Sequence, residues 1–148
     1  MKVKKLPFLE FKNIYRRVPR LCVEVVLVER GRVLLVRRTI TPYKGKWHLP
    51  GATVLQGETL SAAVKRTARE ELGIAVEVKK FIGVIEYAPF KGHLGLTAGL
   101  AFLVRRKDKR RIILDNNASA YDSFSRLPFD LIQAQKKFLQ KTFGFKSR

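Results

Sequence analysis

Two short runs of β-branched and aliphatic residues stand out near the start of the chain. They are LCVEVVLVE at 21–29 and RVLLVRR at 32–38, with Arg30 and Gly31 between them. Apolar runs of this length around a glycine-containing dipeptide predict a β-hairpin whose strands are substantially buried. The next stretch, TITPYKGKW at 39–47, has the proline, glycine and polar residues of a loop.

The apolar positions then change to a helical spacing. A short strand around HLPGATV at 48–54 leads through LQGE at 55–58 into a helix predicted from Thr59 to Leu72. Thr59 is a suitable N-cap, and Gly73 can end the helix because glycine readily adopts the left-handed conformation. The predicted core-facing side of the helix consists of Leu60, Ala63, Val64, Ala68 and Leu72.

The second half of the chain repeats the sequence of strands followed by a helix. Two strands are predicted at 74–88 and 94–106, joined by a glycine-containing loop. A strand-like YDSFSRL at 121–127 precedes an amphipathic helix predicted from Pro128 to Phe143. The order predicts an α/β (α+β) domain in which a mixed β-sheet is sandwiched between helices.

The beginning of the chain has a different character. Residues 1–19 are basic and contain Pro7 and Pro19, so they predict an N-terminal arm with a short helix around 8–16. Residues 20–148 are predicted to form the domain itself. A length of 148 residues is enough for one domain with a sizeable core.

Cys22 is the one cysteine of the sequence and lies within an apolar run. A disulfide within the chain is therefore excluded, and a buried thiol in a reducing cytoplasm is expected. The sequence has no apolar run of membrane-spanning length and no stretch typical of a signal peptide. We therefore expect a soluble cytoplasmic protein without a membrane partner.

The formal net charge is +19, from 31 Lys and Arg against 12 Asp and Glu. This balance favours anionic partners such as nucleotides or nucleic acids. The basic residues are scattered along the chain, so most of them are interpreted as a solvated surface.

A group of acidic residues interrupts this basic composition. On the predicted helix Glu70 and Glu71 lie side by side, one turn after Arg66, and Glu58 comes just before the helix. Adjacent carboxylates favour a bound cation, and Mg²⁺ takes such oxygen ligands together with substrate phosphates. The alternative is a solvated surface on which Glu70 forms an ordinary i,i+4 ion pair with Arg66.

The complete spacing resembles the signature of the Nudix hydrolases. That signature is a glycine, five residues, a glutamate, seven residues, Arg-Glu, an apolar residue, any residue, Glu-Glu, any residue, a glycine and an apolar residue. The upstream GKWHLPGA is also similar to the family's approach to the motif. Two positions depart, because alanine replaces the first glycine, and threonine replaces a glutamate that binds metal or acts as a general base in many members. The signature positions in this chain are Ala52, Glu58, Arg66, Thr67, Ala68, Glu70, Glu71, Gly73 and Ile74.

The resemblance implies a Nudix fold and hydrolysis of a nucleoside diphosphate linked to another moiety, such as a nucleotide sugar. It implies that Glu70 and Glu71 bind Mg²⁺ or Mn²⁺, with the Gly51 carbonyl as a further ligand. Glu58 would hold a metal-bound water or the orientation of the site, and Arg66 would anchor the carboxylates through charge-assisted hydrogen bonds. Many members are dimers, so a homodimer is an expectation of the same kind.

A subgroup, the GDP-mannose mannosyl hydrolases, is similar over a longer stretch and also lacks the glutamate at the Thr67 position. By this resemblance Arg38 contacts the substrate diphosphate. The Glu-His pair that the subgroup carries in a late loop falls on Asn117 and Ala118. Cleavage of the phosphoanhydride is therefore favoured, and glycosidic cleavage of a GDP-sugar stays open.

The general base has no assigned residue in the signature. Glu86, at a strand end, is a candidate for a replacement base or an extra metal ligand, against an ordinary outward-facing strand residue. His93 has suitable acid-base chemistry at neutral pH, but a histidine in a glycine-flanked loop is more often simply solvent-exposed. Trp47, Tyr87 and Phe90 could stack on a nucleobase, although aromatic residues beside strands are usually core.

Two hypotheses of different classes follow. The favoured one is a Mg²⁺-dependent hydrolase with a small nucleotide substrate. The alternative is a catalytically impaired module on the same fold that binds nucleic acid or nucleotides, motivated by Thr67 and by the net charge of +19. An acidic cluster repels a polyanion unless a metal intervenes, so nucleic acid is the disfavoured partner.

Overall fold

The computed structural model describes residues 4–88 and 97–148, so His93 and Phe90 lie outside the described residues. The helices and strands along the chain are α1 (Phe8–Tyr15), β1 (Arg20–Glu29), β2 (Arg32–Arg38), β3 (Trp47–His48), β4 (Gly51–Thr53), α2 (Leu60–Leu72), β5 (Val76–Glu86), β6 (Thr97–Arg106), β7 (Ala118–Phe124), β8 (Arg126–Leu127), α3 (Gln133–Phe143) and β9 (Lys146–Ser147).

The central strand of the fold is β1. It pairs in parallel with β6 from Arg20 to Leu27 and antiparallel with β4 at its beginning. At its other end β1 continues into the predicted hairpin with β2, which in turn pairs with β3 and β7. In the described part of the chain these strands form one mixed sheet with β5 at an edge, and β8 and β9 form a separate pair.

The sheet has a helix on each face, as the sequence predicts. Alternate residues of β1 point to opposite faces because a strand has a period of two. Val23 and Val25 belong to the core beneath α2, whereas Val26 belongs to a second core that includes Leu139 of α3. Glu24 lies two residues before Val26 in β1, so the two side chains lie on the same face of the sheet.

The boundaries of α2 match those predicted. The Thr59 hydroxyl accepts a hydrogen bond from the Ala62 amide at 3.1 Å, and Gly73 ends the helix at φ 68°. Four of the five predicted core positions are fully buried, but Leu60 at the first turn is 36% exposed. The helix therefore presents its later turns to the core and its start to solvent.

The last helix begins later than predicted. Helix α3 starts at Gln133, so Pro128 does not lie in its first turn. The backbone between them is used elsewhere: the Trp47 amide donates to the Asp130 carbonyl at 3.2 Å, and the Ile132 amide donates to the Trp47 carbonyl at 3.1 Å. These bonds attach residues 128–132 to β3, which the helical spacing of the sequence does not reveal.

Candidate active site

The turn before α2 is tied to the helix by one ion pair. Arg66 donates to both oxygens of Glu58, from Nη2 at 2.7 Å and from Nε at 3.0 Å, and also to the Thr53 carbonyl at 2.9 Å. The side chains of Arg66 and Glu58 are only 12% and 4% exposed. Hydrogen bonds from Arg66 hold the pKa of Glu58 below its usual range. The pair therefore fixes the shape of the loop that precedes the helix.

Glu70 lies at the open side of the same group. Its Oε2 accepts from Lys5 Nζ at 2.8 Å and from Arg66 Nη1 at 3.3 Å. Burial acts to raise the pKa of Glu70, but these two cations outweigh it, and the pKa lies below its usual range. The N-terminal arm thus reaches the signature helix through Lys5.

Glu71 has a contrasting environment. Burial raises its pKa to about 8, the negative charge of Asp115 adds to the rise, and a hydrogen bond from the Gly51 amide opposes it. No lysine or arginine within ion-pair distance of Glu71 is found in the described residues. Glu71 is therefore a carboxylate whose surroundings disfavour its charge.

Asp115 is brought to Glu71 by the backbone at the end of α2. The Ile113 amide donates to the Leu72 carbonyl at 3.0 Å, and a Cβ at Gly73 would lie 3.3 Å from the Ile113 side chain. The Asp115 carboxylate also accepts from the Asn117 amide at 3.0 Å. Asn117 and Ala118, which align with the Glu-His pair of the subgroup, follow directly in this loop, whereas Asp115 was not predicted from the sequence. An acidic residue directly after the apolar RRIIL was the available signal.

A second missed carboxylate is Glu24, in the middle of β1. It is 5% exposed, and burial raises its pKa to about 7. Two glycines leave room for it, since a Cβ would come within 2.4 Å of Oε2 at Gly51 and within 2.5 Å of Oε1 at Gly99. One charged residue within the apolar run LCVEVVLV was the signal for it.

A buried chain of hydrogen bonds holds Glu24 in place. The Tyr87 hydroxyl donates to Glu24 Oε1 at 2.6 Å, and Gln135 Nε2 of α3 donates to the Tyr87 oxygen at 2.7 Å. Gln135 Oε1 in turn accepts from the Leu49 amide at 2.7 Å. The Tyr87 hydroxyl therefore orients the Glu24 carboxylate.

Arg38 and Arg37 lie on opposite sides of β2, as strand alternation predicts. Arg38 lines a cavity of about 160 Å³ together with Glu24, His48 and Gly51. Its Nε donates to the Pro42 carbonyl at 2.6 Å, and burial lowers its pKa. Arg37 is exposed and lies 3.6 Å from Asp130.

Thr67 serves the helix core. It is fully buried, and its hydroxyl donates to the Ala63 carbonyl one turn earlier at 2.7 Å. The hydroxyl of Thr67 is therefore already hydrogen-bonded to the helix backbone. Threonine at this signature position takes no part in the acidic group.

A second, larger cavity of about 970 Å³ joins the arm to the signature. Its lining on the domain side contains the predicted site residues Gly51, Glu58, Arg66, Glu70 and Glu71 together with Asp115. Arg38 opens onto the neighbouring small cavity, which shares Gly51 with the large one. The structure thus gathers the predicted residues around Gly51, with one exception.

The exception is Glu86, at the end of β5. It is exposed and lines a groove beside α3 that includes Lys137 and Phe138. None of the acidic signature residues lines that groove. Trp47 likewise packs inward, with its ring centroid 4.9 Å from that of Phe124.

The acidic group around Glu71 has features that suit a divalent cation. Glu71 and Asp115 repel each other with no ion-pair partner in the described residues for Glu71, which a cation would relieve. In residues 4–88 and 97–148 no three His, Cys, Asp or Glu side chains lie close enough to hold an ion by themselves. Mg²⁺ needs fewer, because it keeps several waters and binds one or two carboxylates plus substrate phosphates. The residues fit such a site.

The sequence of the chain is similar to those of several known proteins. Residues 17–141 match the NUDIX domain family. The chain is 39% identical over 83 residues to the low-salt glycan biosynthesis protein Agl8 of Haloferax volcanii, covering 56% of this chain and 53% of that protein. It is 33% identical over 86 residues to an ADP-ribose pyrophosphatase of Methanocaldococcus jannaschii, covering 58% and 50%. The chain spans about half the length of these curated relatives.

The fold has solved counterparts as well. A crystal structure of a MutT NUDIX hydrolase from Burkholderia pseudomallei is 28% identical, with a TM-score of 0.77 over 85% of this chain and 98% of that one. This likeness confirms the predicted mixed sheet between helices. In the described part of the chain, no helix is long and apolar enough to cross a membrane.

Proposed function

The chain belongs to the NUDIX domain family, and we propose that it is a divalent-metal-dependent hydrolase of a nucleoside diphosphate linked to another moiety. The observation that carries the proposal is the gathering of Glu58, Arg66, Glu70 and Glu71 with Asp115 on one cavity wall. A nucleotide sugar or an ADP-ribose-like compound has the required diphosphate. The same wall contains Gly51, whose carbonyl is the expected additional ligand.

Each residue has a role that its contacts support. Glu71, Glu70 and the Gly51 carbonyl would hold Mg²⁺ or Mn²⁺, which would supply charge neutralisation at the diphosphate and activation of water. Glu58 and Arg66 act as positioning residues, because each is engaged by the other. Arg38 would bind a diphosphate oxygen from the small cavity, where its guanidinium is held by a backbone carbonyl.

The proton acceptor is a separate question, since Thr67 is buried and bonded to Ala63. Asp115 lines the large cavity with Glu70 and Glu71, and Glu24 lies against Gly51, whereas Glu86 lines a separate groove. We propose that one of these two carboxylates accepts the proton. The phosphoanhydride remains the favoured bond, and Glu86 remains a prediction from sequence.

Two further expectations follow from the chain itself. Cys22 is buried and in no disulfide, and burial raises its pKa to about 11, which suits a thiol kept reduced in a cytoplasm. The acidic wall of the large cavity disfavours a nucleic acid backbone at this site, so we propose a small nucleotide as the partner. A homodimer remains an expectation from the family.

The test is product formation from nucleoside triphosphates, dinucleotides, ADP-ribose and nucleotide sugars, with Mg²⁺, with Mn²⁺ and with a chelator. Glu71→Gln should lower kcat/KM by about 1,000-fold, because it removes a charge that acts on the metal. Glu77→Gln is the matched control, since Glu77 is an exposed glutamate paired with Arg105 far along the sheet. The products separate phosphoanhydride from glycosidic cleavage.

A folded protein that turns over nothing in this panel with either metal would contradict the proposal. Turnover that survives Glu71→Gln unchanged would contradict the assigned site. In the first case, RNA or DNA binding that falls steeply with salt and survives the substitution would support the binding-module hypothesis.

A further inference from the structure

The N-terminal arm supplies one side of the large cavity. Across from the acidic wall, the 970 Å³ space is lined by residues of the arm and of the start of β1. Those residues are Lys4, Lys5, Leu6, Phe8, Phe11, Ile14, Tyr15 and Leu21. A volume of this size is in the range of small-molecule sites. The cavity therefore has a carboxylate side, suited to a metal-bound diphosphate, and an apolar side.

Two aromatic residues of α1 differ from the rest of that helix. Phe11 and Tyr15 are half-buried, whereas Phe8 and Leu9 are 69% and 74% exposed. The two half-buried rings lie one turn apart with centroids 4.7 Å from each other, and the Arg20 guanidinium carbon lies 5.7 Å from the Phe11 centroid. Their contact and this cation hold the rings in place beside the cavity.

Lys5 connects the arm to the carboxylate side. Its ammonium lies 2.8 Å from Glu70 Oε2, and both residues line the large cavity. In the sequence, only Leu6 and Pro7 separate Lys5 from the start of α1 at Phe8. The arm is therefore positioned by an ion pair to a residue of the acidic wall.

We propose that Phe11 and Tyr15 form the contact surface for the nucleobase of the substrate, so that the arm favours diphosphates that contain a nucleoside over those that do not. The proposal rests on the proposed function, because it assumes that the diphosphate binds at the acidic wall. A nucleobase is flat and aromatic, and stacking on Phe or Tyr is tolerant of its identity. The candidates named from sequence, Trp47 and Tyr87, are engaged with Phe124 and Glu24 instead.

The experiment measures binding without turnover. Calorimetry with Mg²⁺ compares α,β-methylene analogues of ADP, GDP and UDP with methylenediphosphonate, which has the same diphosphate geometry and no nucleoside. Phe11→Ala and Tyr15→Ala should each weaken nucleotide binding about 10-fold and leave methylenediphosphonate unchanged. Leu9→Ala is the matched control, because Leu9 lies on the same helix and does not line the cavity.

The outcomes separate the two proposals. Equal affinity of the native protein for nucleotide and diphosphonate, no effect of either substitution, or an equal loss for both ligands would overturn the nucleobase contact. Selective nucleotide loss in a protein that hydrolyses nothing in the substrate panel would support the arm's role and contradict the hydrolase. Turnover of a substrate, together with a nucleotide affinity that Phe11→Ala and Tyr15→Ala leave unchanged, would support the hydrolase and contradict the arm's role.

Discussion

Two acidic regions meet at the strand that contains Gly51, and they differ in how their charges are compensated. On one side Glu58 accepts hydrogen bonds from Arg66 on both oxygens, and the pKa of Glu58 lies below its usual range. On the other side Glu24 is buried and Glu71 is half-buried, neither has a comparable ion pair in the described residues, and desolvation raises their pKa values to about 7 and about 8.

The difference suits the two groups of carboxylates to different roles. A buried carboxylate with a bidentate arginine is already neutralised and has little left to offer a ligand. A carboxylate held in place with its charge uncompensated gains most from a cation or from a substrate that brings one. We therefore propose that the Glu58 side serves the scaffold and that the Glu71 side serves the chemistry.

The largest effect is expected from breaking the compensated side. Arg66→Gln leaves the little-exposed Glu58 carboxylate without an ion pair and with the Leu55 amide as a remaining donor, and should lower the free energy of unfolding by about 3 kcal/mol. Arg66→Lys keeps the charge but loses the two-pronged geometry, so its effect should be smaller. Denaturant unfolding measures both.

Arg69→Gln is the control for this substitution, because Arg69 is exposed on the same helix. Its effect should stay within about 0.5 kcal/mol, as is usual for surface changes. If Arg66→Gln were no more destabilising than Arg69→Gln, the structural role proposed for the ion pair of Glu58 and Arg66 would be contradicted.

The uncompensated side should show itself in the pH dependence of stability. The pKa values of Glu24 and Glu71 are raised from an ordinary 4.5 to about 7 and about 8, so the folded metal-free protein retains protons that the unfolded chain has released. Stability from these groups is complete below about pH 4.5 and is lost as pH rises through 8. Between pH 5.5 and 8.5 with a chelator, we expect a loss on the order of 5 kcal/mol, or roughly 10–20 °C in Tm.

Added Mg²⁺ should flatten this profile, because it binds the ionised form. Glu71→Gln should flatten it without metal, and Glu24→Gln should remove much of what is left. A metal-free protein whose Tm rises over this pH range would show that the two carboxylates are compensated by groups outside the described residues.

The smallest effect concerns the contact between the two regions and the arm. Lys5 and Glu70 are 64% and 39% exposed, so their ion pair is worth little by itself. Lys5 nevertheless competes with a metal for Glu70. Lys5→Met should therefore tighten Mn²⁺ binding in the absence of nucleotide by about 3-fold at low salt.

Lys12→Met, on the same arm, is the matched control and should leave Mn²⁺ binding unchanged. Titration followed by electron paramagnetic resonance measures the free ion directly. Weaker Mn²⁺ binding in Lys5→Met would mean that Lys5 helps to place Glu70 instead of competing for it.

Much of this arrangement was predictable from sequence. The hairpin, the bounds of α2 and the mixed sheet between helices follow from apolar periodicity and from the caps at Thr59 and Gly73. The N-terminal bound of α3 did not, because residues 128–132 bond to the backbone of Trp47, and periodicity does not report a partner distant in sequence.

The site divides in the same way. Residues of the signature were found through their spacing on one helix. Asp115 and Glu24 were missed because they reach the site through tertiary structure: the pairing of Ile113 with Leu72, and the clearance at Gly51 and Gly99. The sequence also predicted that Glu86 lies at a strand end. It did not predict which groove that end of the strand faces, because this depends on tertiary structure.

The hydroxyl of Thr67 has a consequence for how this sequence can change. The residue is fully buried and hydrogen-bonded to Ala63, so its neighbours have closed around a short side chain. Restoring the glutamate of the family signature there would place a longer, charged group in that closed space. The departure is therefore entrenched: reversing it by a single substitution costs stability before it can restore chemistry, and the neighbouring residues have to change first.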